Sequence, residues 1–134
     1  MSRMGCDLVL IAALAATLES GCESPCANDL VSVHNSPDGE MKAVVFVRAC
    51  GATTAVVTGL SILPAKEAVP PRGWANALFL SDDPEHPMQR SSEAIDLRVE
   101  WISTKRLRVS YPRGAIADKR SANVNGISIE YTPF

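Results

Sequence analysis

Four cysteines are the residues of this chain whose types and spacing most directly suggest chemistry. Cys6 precedes an apolar run, Cys22 and Cys26 follow that run four positions apart, and Cys50 ends a second apolar run. A cysteine can carry a lipid, form a cross-link, bind a metal or act as a nucleophile. Catalysis by Cys50 requires a base, and the chain has two histidines, of which His34 stands just before a turn. Because a disulfide explains Cys50 with fewer assumptions, we expect a cross-link there.

The N-terminal region has the layout of a secretory signal. The uncharged apolar run LVLIAALAATL (8–18) follows a short start that carries Arg3. The run is shorter than the roughly 20 residues that span a bilayer. The residues before Cys22, LESG, resemble a bacterial lipoprotein signal, although the leucine stands one position too early. Ala13-Leu14-Ala15 offers an ordinary signal peptidase a second cut site, and a buried N-terminal helix is the non-secretory alternative.

The number of cysteines favours lipid attachment at Cys22. Removal of the signal takes away Cys6 and leaves three cysteines in an oxidising compartment, where a free thiol is a liability. If Cys22 carries the lipid, Cys26 and Cys50 remain as a pair. Their disulfide closes a loop of about 25 residues and stabilises the fold by roughly 3 kcal/mol.

The charge balance argues against a nucleic-acid partner. The chain has 13 Lys and Arg against 15 Asp and Glu, whereas binding to phosphates requires a concentrated basic surface. One acidic segment offers oxygen and imidazole groups to a metal within five positions, through Asp82, Asp83, Glu85 and His86. Its spacing matches neither an EF-hand loop nor a paired zinc motif, so we expect a solvated loop, no metal and no cofactor.

The elements that must position these residues are short strands separated by turn residues. SPDG (36–39) is typical of a type I turn and predicts a hairpin between 30–33 and the apolar strand 41–47, which should be buried on both faces. Apolar and charged residues alternate in 95–101 and again in 107–111, which predicts a second hairpin. Asn125-Gly126 predicts a type I′ turn before the last strand. Further strands are expected at 55–63 and 75–80, with loops at 64–73 and 81–92.

These strands predict an all-β fold. We expect an antiparallel twisted sheet that forms a small sandwich or a partly open barrel. The predicted organisation is a signal peptide (1–21), a tether (22–29) and one β domain (30–134).

Two places in this fold are candidate contact surfaces. Thr53 and Thr54 follow a glycine and could present hydroxyl and N–H groups, although such residues more often lead into a strand. Trp74 follows Arg72 and Gly73 in a proline-rich loop, and aromatic and arginine residues are enriched at interaction hot spots. We expect Trp74 either to fill a pocket or to be an exposed contact.

Much of the chain resembles a group of small bacterial secreted or lipoprotein-type proteins. The resemblance rests on SPDGEMKAVVFVRACGATTAVVTGLSIL, on the WIS hairpin that ends in YP, and on VNGISIEY. Ala49 stands where that group has an acidic residue before the cysteine. The SPDG turn and its strand also resemble a blade of a TolB-like β-propeller, but only locally, because a propeller needs at least four blades. The resemblance implies export and a small domain, and no activity.

Two function classes follow from these observations. The first is a non-catalytic lipoprotein or periplasmic domain that lies in the cell envelope and binds another envelope or extracellular protein, as an inhibitor or immunity-type factor does. The second is a small thiol- or metal-dependent enzyme or metal binder that uses Cys50, His34 or the Asp82–His86 loop. We favour the first class, because it needs only a rigid sheet and its loops.

Overall fold

The computed structural model describes residues 26–50, 56–71, 73–83, 85 and 94–134, and all regular structure in these residues is β. The strands are β1 (Ala27–Asn35), β2 (Met41–Ala49), β3 (Val57–Pro64), β4 (Leu78–Asp82), β5 (Arg98–Ser103), β6 (Arg106–Tyr111), β7 (Ala115–Arg120), β8 (Asn123–Val124) and β9 (Ile127–Pro133). They form a five-stranded sheet, β1-β2-β3-β4-β7, and a four-stranded sheet, β5-β6-β9-β8. The predicted all-β class is confirmed. None of the described segments is a helix with the length and hydropathy that crossing a bilayer requires.

The β1–β2 hairpin forms around the predicted SPDG turn. The Gly39 N–H donates to the Ser36 carbonyl oxygen (2.9 Å), and Gly39 has a φ of 73°, which glycine adopts without strain. The Ser36 hydroxyl and the Glu40 N–H both donate to the Asp38 carboxylate, at 2.7 and 3.1 Å. These bonds lower the pKa of Asp38. A turn that is satisfied internally fixes the register of the two strands.

The main core lies between the two sheets, which face each other as a sandwich. Side chains from both sheets pack there and are almost fully buried, among them Leu60 and Leu80 from the first sheet and Leu107 and Ile127 from the second. Each of these strands therefore turns one face toward the other sheet, as the alternating sequence pattern predicts.

The outer face of the first sheet has a smaller core of its own. Val44, Phe46 and Phe79 are buried there against Ala75 and the partly buried Val69. The last two belong to the segment that joins β3 to β4, which therefore covers part of this face. The prediction that β2 is buried on both faces is confirmed, since alternate residues of β2 enter the two cores.

The second sheet contains the predicted hairpins and one pairing that the sequence did not predict. β5 and β6 pair antiparallel, as do β8 and β9 across the Asn125-Gly126 turn. Both turn residues have positive φ, 50° and 83°, as a type I′ turn requires. β9, however, lies parallel to β6. The sheet is therefore mixed rather than purely antiparallel.

Several strand bounds differ from the sequence prediction by a few residues, and two strand starts and one whole strand differ most. β1 begins at Ala27, inside the segment expected to be a tether. β5 begins at Arg98, because the Ile95 N–H donates to the buried Thr58 hydroxyl (2.8 Å) instead of entering the strand ladder. β7 was not predicted at all, and it forms the edge of the first sheet by pairing with β4.

Candidate functional site

Trp74 is the predicted contact residue that the structure places on the surface. Its exposed fraction is 70%, the largest among the exposed large hydrophobic residues of the described chain. The other tryptophan, Trp101, is half-buried, and its indole N–H donates to the His34 carbonyl oxygen (2.9 Å). Three further residues of the predicted surface, Arg72, Thr53 and Thr54, lie outside the described residues.

The indole of Trp74 is held by two side chains that project from the first sheet. The guanidinium carbon of Arg48, on β2, lies 4.5 Å from the centre of the indole ring, a cation–π contact. Phe79, on β4, meets the indole edge to face at 4.8 Å. Phe79 is in turn packed edge to face against Phe46 at 6.4 Å. An exposed tryptophan with these contacts loses little conformational entropy when a partner covers it.

The backbone before Trp74 is tied to both strands of the first hairpin. From β1, the side-chain amide of Asn28 donates to the carbonyl oxygens of Gly73 (3.1 Å) and Pro70 (3.3 Å). The backbone N–H of Asn28 donates to the carbonyl oxygen of Pro71 (2.9 Å). From β2, Arg48 Nη1 donates to the Gly73 carbonyl oxygen (2.7 Å). Gly73 has a φ of 120°, a conformation that side-chain-bearing residues rarely adopt. These contacts fix the point from which the indole projects.

Trp74 borders two concave features on the outer face of the first sheet. The larger, here called the Trp74 groove, is open to solvent, encloses about 480 Å³, and is lined by Val57, Trp74, Ala75, Phe79, Asp118 and Lys119. The smaller, here called the Asn28 cleft, encloses about 60 Å³, and its walls include Asn28, Val44, Gly73 and Trp74. The groove thus offers apolar walls with a carboxylate and an ammonium group at one side.

A buried positive charge, the guanidinium of Arg48, lies against the indole of Trp74. The exposed fraction of Arg48 is 7%, and its Nε is buried without a hydrogen-bond partner. Asp118, on β7, lines the groove, and its carboxylate accepts a hydrogen bond from the Ser81 hydroxyl (2.8 Å). The surface therefore combines an exposed aromatic ring with charged groups of both signs.

The two cysteines near the open end of the first hairpin are joined. Cys26 and Cys50 form a disulfide across 24 positions, which confirms the predicted pair, and the described residues contain no free cysteine. Cys22 and Cys6 lie outside the described residues. The disulfide follows directly from the strand register, because Ala27 of β1 pairs with Ala49 of β2.

His34 is not brought near Cys50. It pairs with Ala43 close to the turn, whereas Cys50 follows the other end of β2, roughly 20 Å away along the strand. His34 Nε2 lies 3.0 Å from the Ser32 hydroxyl oxygen, and desolvation lowers the pKa of the imidazole. The described residues therefore do not assemble a thiol and a base.

The acidic segment is only partly described. The Asp83 carboxylate accepts a hydrogen bond from the Glu85 N–H (3.0 Å), Asp82 ends β4, and His86 lies outside the described residues. Across the described ranges, no three His, Cys, Asp or Glu side chains are grouped so that they could hold a metal ion.

Comparison with models of protein families, with curated proteins and with solved structures finds no match to this chain. The resemblance to the lipoprotein-type group and to a propeller blade therefore stays a prediction.

Sequence reasoning identified Trp74 but not the residues that hold it. Asn28, Arg48 and Phe79 come from three different strands, and only the tertiary structure shows that they meet. One signal in the sequence pointed to Arg48. Arg48 is the charged residue within the otherwise apolar segment VVFVRA (44–49). An arginine that is buried in such a strand needs a specific partner for its guanidinium.

Proposed function

We propose that this chain is a non-catalytic binding domain of the cell envelope that contacts another envelope or extracellular protein through the Trp74 groove. The observation that carries the proposal is the indole of Trp74, which is 70% exposed and yet fixed by Arg48 and Phe79. Tryptophan and arginine are, together with tyrosine, enriched at binding hot spots. The exposed part of this ring is apolar surface that a partner can remove from water.

The disulfide supports the exported location. Disulfides persist in the periplasm and outside the cell and are rare in the cytosol. In this proposal the segment 1–21 is a signal peptide, Cys22 carries the lipid, and the Cys26–Cys50 disulfide begins the folded domain. The anchor holds the domain at a membrane surface, where the partner is to be sought. An inhibitor or immunity-type role requires only such a rigid contact surface.

Export and lipid attachment are tested by the intact mass of the protein purified from its own host without reductant. The proposal expects a chain that starts at Cys22, carries acyl groups and gains two hydrogens on reduction. A chain that retains residues 1–21 without acyl groups would contradict this part of the proposal.

The contact surface is tested by affinity capture with a matched control. The immobilised domain is incubated with solubilised envelope and extracellular proteins of its host, and the retained proteins are quantified by mass spectrometry. Trp74→Ala should abolish retention of the specific partner. The control is Phe134→Ala, which removes another exposed aromatic ring that lies against an arginine, with the guanidinium carbon of Arg98 3.8 Å from the ring centre. Equal retention by wild type and Trp74→Ala would refute the surface.

A further inference from the structure

β1 forms an edge of the first sheet, and the centre of this strand is apolar and exposed. The exposed fractions of Leu30, Val31 and Val33 are 56%, 48% and 41%. These three make up half of the exposed large hydrophobic residues in the described part of the chain. An edge strand with such a centre is a template on which another strand can pair.

The other sheet edges of the described chain are protected. β7, at the opposite edge of the same sheet, ends in three charged residues, DKR (118–120). In the second sheet, the edge strand β5 carries Arg98 and Glu100, and the edge strand β8 is two residues long. Charge and shortness are devices by which proteins keep sheet edges from pairing. β1 is nine residues long, and the centre of this strand lacks both devices.

Near the turn, backbone groups of β1 are free to pair. The Ser36 N–H donates to the Met41 carbonyl oxygen (2.9 Å), and successive residues of an antiparallel strand direct their N–H and C=O groups alternately toward and away from the neighbouring strand. Val33 and Asn35 therefore direct these groups away from β2. Among the described residues, none bonds the backbone of Val33 or Asn35 from this open side.

At the other end of β1 the loop before Trp74 covers the edge. The Asn28 N–H donates to the Pro71 carbonyl oxygen (2.9 Å) instead of to β2, so Asn28 and, two residues on, Leu30 also point outward. A bulge between Leu30 and Ser32 shifts the alternation by one residue. Leu30 and Val33 therefore both point outward although they are three positions apart. The edge is covered at Asn28 and open beyond it.

The sequence of this edge is symmetric about Ser32 once the bulged residue Val31 is left out. The matched pairs are Leu30 with Val33, Asp29 with His34 and Asn28 with Asn35. The two members of each pair lie on the same face of the sheet, because their partners on β2 are an even number of residues apart. Two identical strands that pair antiparallel about this centre place matched residues opposite each other. Apolar side chains then meet apolar ones, and a carboxylate meets an imidazole.

We propose that this edge binds a second copy of the chain, with the two β1 strands antiparallel about a two-fold axis at Ser32. The two five-stranded sheets then join into one continuous sheet. Leu30 pairs with Val33 of the partner subunit, and Asp29 pairs with His34 of the partner subunit. The paired segment is short, so the dimer should have a Kd of about 1–100 µM. The inference goes beyond the proposed function and does not depend on Trp74.

Sedimentation equilibrium with two matched variants tests the dimer. The disulfide-bonded protein is measured up to about 1 mM, in density-matched detergent so that detergent bound to an anchor does not contribute to the buoyant mass. Val33→Lys should raise the Kd of the dimer at least about tenfold. The control is Ile116→Lys, at a residue that is also 41% exposed but lies on β7, the opposite edge of the same sheet; its Kd should equal that of wild type. A monomeric wild type, or equal effects of the two variants, would overturn the proposal.

A mixing experiment tests the register. Asp29→Lys and His34→Glu each place like charges opposite each other in their own dimers, so each variant alone should associate at least about fivefold more weakly than wild type. Mixed in equal amounts, they pair Lys with Glu at one contact and keep Asp29 with His34 at the other, so association should be restored. A mixture that associates no better than the separate variants would overturn the pairing. If His34→Glu does not fold, Val33→Lys and Ile116→Lys still decide.

The outcomes separate this inference from the proposed function. A monomeric wild type whose capture of envelope proteins is lost in Val33→Lys would show that the edge receives another protein's strand, and would overturn the second copy as its occupant. A dimer that forms equally well in Trp74→Ala, combined with capture that does not depend on Trp74, would support the dimer and refute the proposed contact surface.

Discussion

Gly59 lies on β3 directly between two phenylalanines that support the contact surface. It pairs with Phe46 on β2 and with Phe79 on β4. A Cβ at this position would stand 2.8 Å from Cζ of Phe46 and 3.1 Å from Cβ of Ala75. Ordinary carbon contacts are about 3.5–4.0 Å, so the Phe46 ring must withdraw by roughly 0.7 Å or more. Gly59→Ala therefore tests whether the packing under Trp74 is as tight as the structure indicates.

The expected magnitude follows from two opposing effects. Overpacking a core costs about 1–3 kcal/mol, and the reduced freedom of the unfolded chain returns about 0.4–1 kcal/mol. Gly59→Ala should therefore lower the free energy of unfolding by up to about 2.6 kcal/mol, with about 1.3 kcal/mol at the middle of the two ranges. The displaced Phe46 ring packs on Phe79, which holds Trp74, so the fluorescence of Trp74 should also change in the folded state.

Urea unfolding in a double-mutant cycle measures this effect. Phe46→Leu shortens the side chain that clashes, so the double variant should be more stable than the sum of the single changes predicts, by at least about 1 kcal/mol. Additive changes, or a stabilising Gly59→Ala, would refute the packing that we describe.

Three further predictions address the disulfide, the core and the half-buried phenol of Tyr131. Replacing Cys26 and Cys50 by Ser should lower the free energy of unfolding by roughly 3 kcal/mol, and a wild-type urea midpoint that does not respond to reductant would contradict this. Ile95→Asp places a charge at a position that is 2% exposed, so it should abolish cooperative thermal unfolding. The control Asp96→Asn, on the exposed face, should melt like wild type. A cooperative melt of Ile95→Asp would disprove the assignment of Ile95 to the buried face. Burial raises the pKa of Tyr131 from 10.0 to about 12, so the neutral phenol contributes stability that is complete below pH 10 and is lost between pH 10 and about 12. Its hydroxyl donates to the Ser121 carbonyl oxygen at 2.7 Å, so Tyr131→Phe should cost about 1 kcal/mol at neutral pH and remove that pH dependence. An ultraviolet titration in which Tyr131, identified by comparison with Tyr131→Phe, ionises near 10 would be inconsistent with this desolvation.

Local sequence signals predicted the parts of the fold that depend on neighbouring residues. The turns at SPDG and Asn125-Gly126 formed as predicted, because their backbone conformations are set by the residues themselves. The Cys26–Cys50 pair followed from counting cysteines, and the strand register places the two ends together. The alternation in 95–101 correctly identified the buried face, although only its second half entered a strand.

Features that depend on distant contacts could not be read from the sequence. The parallel pairing of β6 and β9 joins segments that are separated in the chain by β8 and by the edge strand β7, and it leaves no local signature. That edge strand, β7, has the sequence AIADKR, whose weak alternation carries little strand preference. The role of Arg48 likewise required knowledge of Asn28 and Gly73, which lie far from it in the sequence.

The proposed contact surface requires that the exposed indole of Trp74 is held in place before any partner binds. Time-resolved fluorescence anisotropy of Trp74, measured in a Trp101→Phe background, tests it most directly, because this leaves one emitting indole. The contacts with Arg48 and Phe79 predict that the indole reorients only as fast as the whole domain tumbles. A dominant, faster local rotation would show that these contacts do not hold the ring, and would contradict the account.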